Sequence, residues 1–309
     1  MKLLLDCDPG LDDALALLLA HGDPSLELVA VTTVGGNVGL GATTRNALQL
    51  RDYIGFASVP VAAGAANPLV RRAETAAHVH GAEGLGSLTL PPAVAPVSDV
   101  DAVDLIIDTL HSAPGTVHLV ATGPLTNIAL ALKKEPAIVE WAASFVIMGG
   151  SFTRGNATPA AEFNIFADPE AAQIVFAAGW QVVMVGLDLT LQVLVTPDVI
   201  ERMLQLGPLG EDLVVPLSTF WVNPDEADWK GQAVHDVCAV AYVTRPDLFE
   251  SRPARVEIET VGKFTSGATV VDFASPEPNA LVPVAIDVAG FWDHVFAAWA
   301  TVAAEHPHV

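Results

Sequence analysis

The chain reads as a single α/β domain built on a mostly parallel central sheet flanked by helices. Three observations predict this. Short apolar runs that suit buried strands alternate with longer stretches of helical spacing. The junctions between them carry turn-forming clusters such as Pro9-Gly10, Gly35-Gly36-Asn37 and Thr122-Gly123-Pro124. At 309 residues with 51% hydrophobic composition, the chain can bury a sizeable core. It shows neither a linker nor an internal repeat, so one domain, 1–309, is the simplest division.

The elements follow in order. Leu3 to Leu5 is expected to be a short buried strand, and Leu11 to Ala20, rich in Leu and Ala with two acids suited to a helix amino terminus, a helix. The unit repeats with a strand over Leu28 to Thr33 and a helix over Ala42 to Tyr53. The Pro-rich stretch from Pro91 to Pro96 is a loop. Val117 to Ala121 and Leu125 to Lys133 form the next strand and helix, and Phe145 to Met148 is a strand ending at Gly149-Gly150. A helix over Asp168 to Ala178 is entered through Asp168-Pro169 and leads to a strand at Val182 to Val185. Residues 197 to 245 read as mainly helical. Arg255 to Ile258, Thr269 to Val271 and Val282 to Ile286 read as late strands, and Phe291 to Ala304 as a closing helix.

Lys plus Arg number 14 against 36 Asp plus Glu, a net charge of -22, so the overall field repels phosphate backbones and anionic lipid. Nucleic acid and membrane are therefore not expected partners. Most of these carboxylates are read as ordinary solvated surface. The start, Met1-Lys2 with Leu3 to Leu5 and then Asp6, lacks the long apolar core of a signal peptide, and no apolar run reaches membrane-spanning length. Cys7 and Cys238 are too few for a disulfide framework and are expected to be reduced and buried, as in a cytoplasmic protein.

Where the acids crowd together they need a separate explanation. In open α/β sheets ligands bind beyond the carboxyl ends of strands, and Asp6, Asp8, Asp12 and Asp13 all fall at or just past the end of the first strand. Two unit charges about 4 Å apart repel by roughly 4 kcal/mol at an effective dielectric near 20, so the cluster should recruit a cation or keep a proton. A hard divalent metal is the natural compensation. Taken alone, Asp12 or Asp13 serves equally well as a cap for the helix that follows, and Asp6 as a hydrogen-bond partner behind the metal ligands.

The segment Asp6-Cys7-Asp8-Pro9-Gly10-Leu11-Asp12-Asp13-Ala14 resembles the amino-terminal signature of the inosine-uridine-preferring nucleoside hydrolase family. Further segments follow in that family's order: Thr32 to Asn37, His80-Gly81 with Gly84-Leu85, Ala121 to Asn127, and Met148-Gly149-Gly150. Glu162-Phe163-Asn164 with Ala167-Asp168-Pro169, and then His235-Asp236, complete the series. An ordered series over roughly residues 3 to 245 is far more specific than one acidic cluster.

The resemblance implies calcium-dependent hydrolysis of the N-ribosidic bond of purine or pyrimidine ribonucleosides, to ribose and free base. It implies Ca2+ held by Asp8, Asp13, Asp236 and the Thr122 carbonyl, an all-oxygen set that suits calcium better than zinc or magnesium. Asp8 is implied as the general base toward water, and Asp12, Asn156, Glu162 and Asn164 as ligands of the ribose hydroxyls, with Asn37 beside them. Without the motifs, Asn37 and Asn156 would read as turn residues next to glycine. His235 and His80 are candidates to meet the departing base, while His78 reads as a loop residue. Phe220 and Trp229 could stack on the base or pack in the core, and Phe163 could wall the ribose or do the same. A homo-oligomer, dimer or tetramer, and a role in purine and pyrimidine salvage are further implications.

Three other readings compete. Asp6-Cys7-Asp8 could be the aspartate pair of a haloacid-dehalogenase-like phosphatase, but Gly10 stands where that family normally has threonine, and two acids follow where an anionic substrate would sit. Ribose attached to another amide could be the substrate. A ribose- or nucleoside-binding protein could keep the pocket without turnover.

Overall fold

The computed structural model describes residues 1–220 and 231–305. Its strands are β1 (Lys2–Cys7), β2 (Glu27–Thr33), β3 (Val61–Ala63), β4 (Val117–Ala121), β5 (Ala142–Met148), β6 (Val182–Val185), β7 (Leu194–Val195), β8 (Gln232–Ala233), β9 (Phe249–Ile258), β10 (Thr269–Asp272) and β11 (Ala280–Ile286). Nine of them make one sheet in the order β10-β9-β11-β6-β5-β4-β1-β2-β3. Every pairing from β11 through to β3 is parallel, and only β9 runs against its neighbours. The mostly parallel sheet is thus as the sequence predicts.

Period-two alternation divides β1 between the two faces. Leu3, Leu5 and Cys7 enter one core, with the helices Leu11–Gly22, His235–Thr244 and Val288–Glu305. Leu4 enters the other, with Ala102–Ser112, Thr126–Lys134 and Pro169–Phe176. Because both faces are covered, the inner strands are apolar on both sides and read as continuous runs. The helix Leu11–Gly22 is apolar nearly all round because the sheet and the helices Leu40–Ile54, Val215–Thr219, His235–Thr244 and Val288–Glu305 pack around it.

This order places the site. From β1 the chain steps outward through β2 to β3 and in the other direction through β4 to β6, so the winding reverses between β1 and β4. A crevice opens beyond the carboxyl ends of strands at such a switch point. The loop after β1 carries Asp8, Asp12 and Asp13, and the residue after β4 is Thr122.

Several details differ from the sequence reading. The interval 197–245 is helical over Pro197–Leu204, Gly210–Thr219 and His235–Thr244, but β8 interrupts it. The helix Ala102–Ser112 and the short strands β3, β7 and β8 were not foreseen, and β9 starts six residues before the expected Arg255. Pro253 hides that start in the sequence, yet it pairs with Leu281 inside the sheet. Cys7 and Cys238 are buried and unbridged, and no helix among the described residues is long and apolar enough to cross a membrane.

Candidate active site

A cavity of about 310 Å3 lies at the switch point. Asp12, Asn37, His80, Thr122, Asn156, Glu162, Asn164, His235 and Asp236 line it together with Phe163 and Met148. Six separate segments of the chain, around Asp12, Asn37, His80, Thr122, Met148 to Asn164, and His235-Asp236, thus meet at one place. Asp8 and Asp13 are fully buried and do not line the cavity; they stand one hydrogen bond behind its wall.

The acidic floor is held by its neighbours. Asp8 Oδ2 accepts from the Asn37 amide at 2.6 Å, and the Asn37 side chain donates to the Asp8 carbonyl at 3.2 Å and to Asp13 Oδ2 at 3.1 Å. Asp13 also accepts from the Gly10 amide at 3.0 Å and from the Thr122 hydroxyl at 2.8 Å. The capping alternative for Asp13 therefore holds too: one carboxylate caps the helix and ties β1 to β4. Gly36 lets the backbone approach this closely, since a Cβ there would lie 2.1 Å from Asp8 Oδ2. Asp6 takes the supporting place: Oδ1 accepts from Thr32 Oγ1 at 2.6 Å and from Asn127 Nδ2 at 2.8 Å.

Oxygens of Asp12, Asp13 and Asp236 all lie within 4.8 Å of one another. Asp8 is outside that trio, although its charge opposes that of Asp13, and its Oδ1 is buried without a hydrogen-bond partner. Burial, and then the neighbouring carboxylates, push Asp8 and Asp236 well above the ordinary range and Asp13 up to about 6. Asp236 lies within hydrogen-bond reach of Asp13, an arrangement of two buried carboxylates that calls for a shared proton or a cation between them. An orphaned carboxylate oxygen beside an all-oxygen donor set fits a hard divalent ion.

The wall opposite is built on the helix Phe163–Ala167. Glu162 caps it, taking the Asn164 amide on Oε1 at 2.9 Å and the Gly150 and Ile165 amides on Oε2 at 2.9 and 3.1 Å. Burial outweighs these bonds and pushes Glu162 up to about 7. Asn164 donates to the Thr122 carbonyl at 2.7 Å and to the Met148 carbonyl at 3.0 Å, and Asn156 accepts from the Phe163 amide at 2.9 Å.

Both predicted histidines reach the cavity. His80 Nδ1 accepts from the Leu11 amide at 3.1 Å; a backbone N–H can only donate, so the ring carries its proton on Nε2. His235 Nδ1 lies 2.7 Å from Thr190 Oγ1. Burial lowers both rings below the usual histidine range, so both are neutral at pH 7.

Other expectations are refined. His78, read as a loop residue, lines the cavity with Val79, Ala76 and Gln232. No sequence motif marks these positions: Ala76, whose amide donates to the Asn37 carbonyl at 3.0 Å, leads into the short helix Ala77–His80 that carries His78 and Val79, and Gln232 comes from β8. Phe220 packs against the core and lies against Gly86. Trp229 lies outside the described residues.

The matching family model is that of inosine-uridine preferring nucleoside hydrolases, over residues 3–293. An inosine-uridine preferring nucleoside hydrolase of Crithidia fasciculata is 46% identical over 304 residues, covering 96% of each chain. The non-specific ribonucleoside hydrolase RihC of Escherichia coli (strain SMS-3-5 / SECEC) is 46% identical over 294 residues, 94% of this chain and 95% of that one. Among solved structures, a purine-preferring ribonucleoside hydrolase from Gardnerella vaginalis superposes with a TM-score of 0.91 at 34% identity, covering 98% of this chain and 99% of that one. The relatives are, by name, nucleoside and ribonucleoside hydrolases. The chain therefore belongs to the inosine-uridine preferring nucleoside hydrolase family, an enzyme that hydrolyses the N-glycosidic bond of ribonucleosides.

Proposed function

We propose that the chain hydrolyses purine and pyrimidine ribonucleosides with Ca2+ held by Asp8, Asp13, Asp236 and the Thr122 carbonyl. One observation carries this reading: the carboxylate floor, the amide and acid wall and the two histidines share one cavity of about 310 Å3. That volume sits at the small end of small-molecule sites, with room for one nucleoside. When bound, the ion supplies the positive charge that offsets the carboxylates, binds hydroxyl oxygens and acidifies nearby water.

The chain's own groups do the rest. Asp8 accepts the proton of the attacking water as it adds to the anomeric carbon. Asp12, Asn156, Glu162 and Asn164, with Asn37 beside them, satisfy the ribose hydroxyls, so a deoxy sugar would strand buried polar atoms. The acids near the ring favour the positive character the sugar gains as the bond breaks. His235 and His80 present N–H donors toward the departing base.

Base preference is not set by family membership, since the relatives' names differ on it: inosine-uridine, non-specific and purine-preferring. A cytoplasmic homo-oligomer of two or four chains, serving nucleoside salvage, belongs to the same proposal; the unbridged cysteines support the compartment. The test is a mixed nucleoside panel with calcium, read as reducing sugar, then repeated with a chelator. Ribose release that the chelator abolishes is expected; intact substrates throughout would refute the activity, and cleavage indifferent to the chelator would refute the metal.

A further inference from the structure

We propose that Thr190 is a positioning residue for base departure, its hydroxyl donating to His235 Nδ1 and so placing the ring's proton on Nε2, on the cavity side. This rests on the hydrolase reading above and deepens it. Thr190 ends the helix Leu187–Thr190, which follows directly on β6, and it is fully buried. Its Oγ1 stands 2.7 Å from His235 Nδ1, across 45 residues of sequence. A hydroxyl can give or take a hydrogen bond, so the contact alone leaves the ring tautomer open. Where the hydroxyl donates, Nδ1 is the acceptor and the ring's proton stands on Nε2.

His80 shows the same arrangement with no ambiguity, since its Nδ1 is filled by the Leu11 amide. Both rings line the cavity, and on this reading each carries its proton on Nε2. As the C1′–N bond breaks, its electron pair goes to the base, and Nε2–H of His235 meets the charge that develops there by a hydrogen bond. The base takes its proton from solvent, so the ring never has to pass through a deprotonated state.

The helix that carries Thr190 is itself fixed to the ribose side. Asp188 Oδ2 accepts from the Phe152 amide at 2.6 Å, and the Leu187 amide donates to the Gly150 carbonyl at 2.9 Å. Gly150 in turn donates to Glu162 at 2.9 Å. One short helix thus sets the spacing between the wall that holds the sugar and the ring that meets the base.

The experiment compares wild type, Thr190→Val and Thr190→Ser on inosine and uridine and on 4-nitrophenyl β-ribofuranoside, whose phenolate leaves without help. Thr190→Val should lower kcat on the nucleosides by about 10- to 100-fold with little change in KM, leave the nitrophenyl riboside within about two-fold, and be rescued by Thr190→Ser. Histidine 15N spectra should show the Nε2–H tautomer for His235 in wild type and lose it in Thr190→Val. Equal loss on both leaving-group classes, or an Nδ1–H tautomer in wild type, would overturn the role of Thr190. So would unchanged nucleoside turnover in Thr190→Val beside an active wild type. Wild type inert toward every nucleoside would instead overturn the hydrolase reading.

Discussion

Asp8 is the residue on which the proposed chemistry turns, and its surroundings set two opposed expectations. Its carboxylate is buried beside Asp13 with one oxygen orphaned, a costly arrangement unless a cation or proton is near. Asp8→Asn removes that cost, so the calcium-free variant should melt no lower than calcium-free wild type. It should also gain less from added calcium, and its kcat should fall by about 10^2- to 10^4-fold. Calorimetric melts with and without calcium, beside a nucleoside assay, check both; an unchanged rate would remove Asp8 as the base. At this scale the sequence was legible where residues cluster in one segment, as Asp6 to Asp13 do. Glu162 with Asn164, and Asp236, lie far along the chain from that segment and from each other, and ahead of the fold only the resemblance joins them to it. His78 and Thr190 were missed for opposite reasons: an exposed loop histidine and a buried threonine in an apolar run both look ordinary.

Elements hold these residues in register through a few buried polar contacts. The loop after the helix Leu11–Gly22 is one case: Asp23 Oδ1 takes the Ser25 amide at 2.8 Å and hydroxyl at 2.7 Å, and His294 Nε2 of the closing helix lies 3.3 Å from Asp23 Oδ2. Burial works against the charged carboxylate, but the bonds from His294 and Ser25 prevail and hold Asp23 well below the usual carboxylate range. A depressed carboxyl stabilises the fold fully above the ordinary value near about 4, and that contribution fades as pH falls below it. Asp23→Asn should therefore cost about 1–3 kcal/mol at pH 7, with the gap to wild type narrowing between about pH 5 and 3. Denaturant titrations at several pH values would show it, and a gap that widens toward acid would contradict it. The long parallel strands were readable because burial on both faces makes them continuously apolar. Strands of two or three residues, such as β7, β8 and β3, are too short to carry a period and exist only through their partners. The helix Ala102–Ser112 does carry a signal in the sequence: Asp101 caps it, and Ala102, Ile106 and Leu110 mark its buried face at helical spacing.

For the whole molecule, the winding order of the sheet is the cause from which the site follows. A reversal between β1 and β4 opens the crevice, and the turns after those strands bring Asp12 and Thr122 to its lining and hold Asp8 and Asp13 just behind it. Family membership removes the phosphatase reading of Asp6-Cys7-Asp8, and the structure gives Asp6 its actual work, a buried anchor for Thr32 and Asn127. The net charge of -22 has a local counterpart, a cavity floor too acidic to stand without compensation. Calcium that binds only the folded chain should stabilise it by about 2.7 kcal/mol at a hundred times its dissociation constant. The most direct test of the account is anomalous diffraction from crystals grown with calcium. The account predicts one peak in the floor of the cavity, about 2.3–2.6 Å from oxygens of Asp8, Asp13, Asp236 and the Thr122 carbonyl. A protein that cleaves nucleosides with no peak at that position, or with its calcium elsewhere, would contradict it.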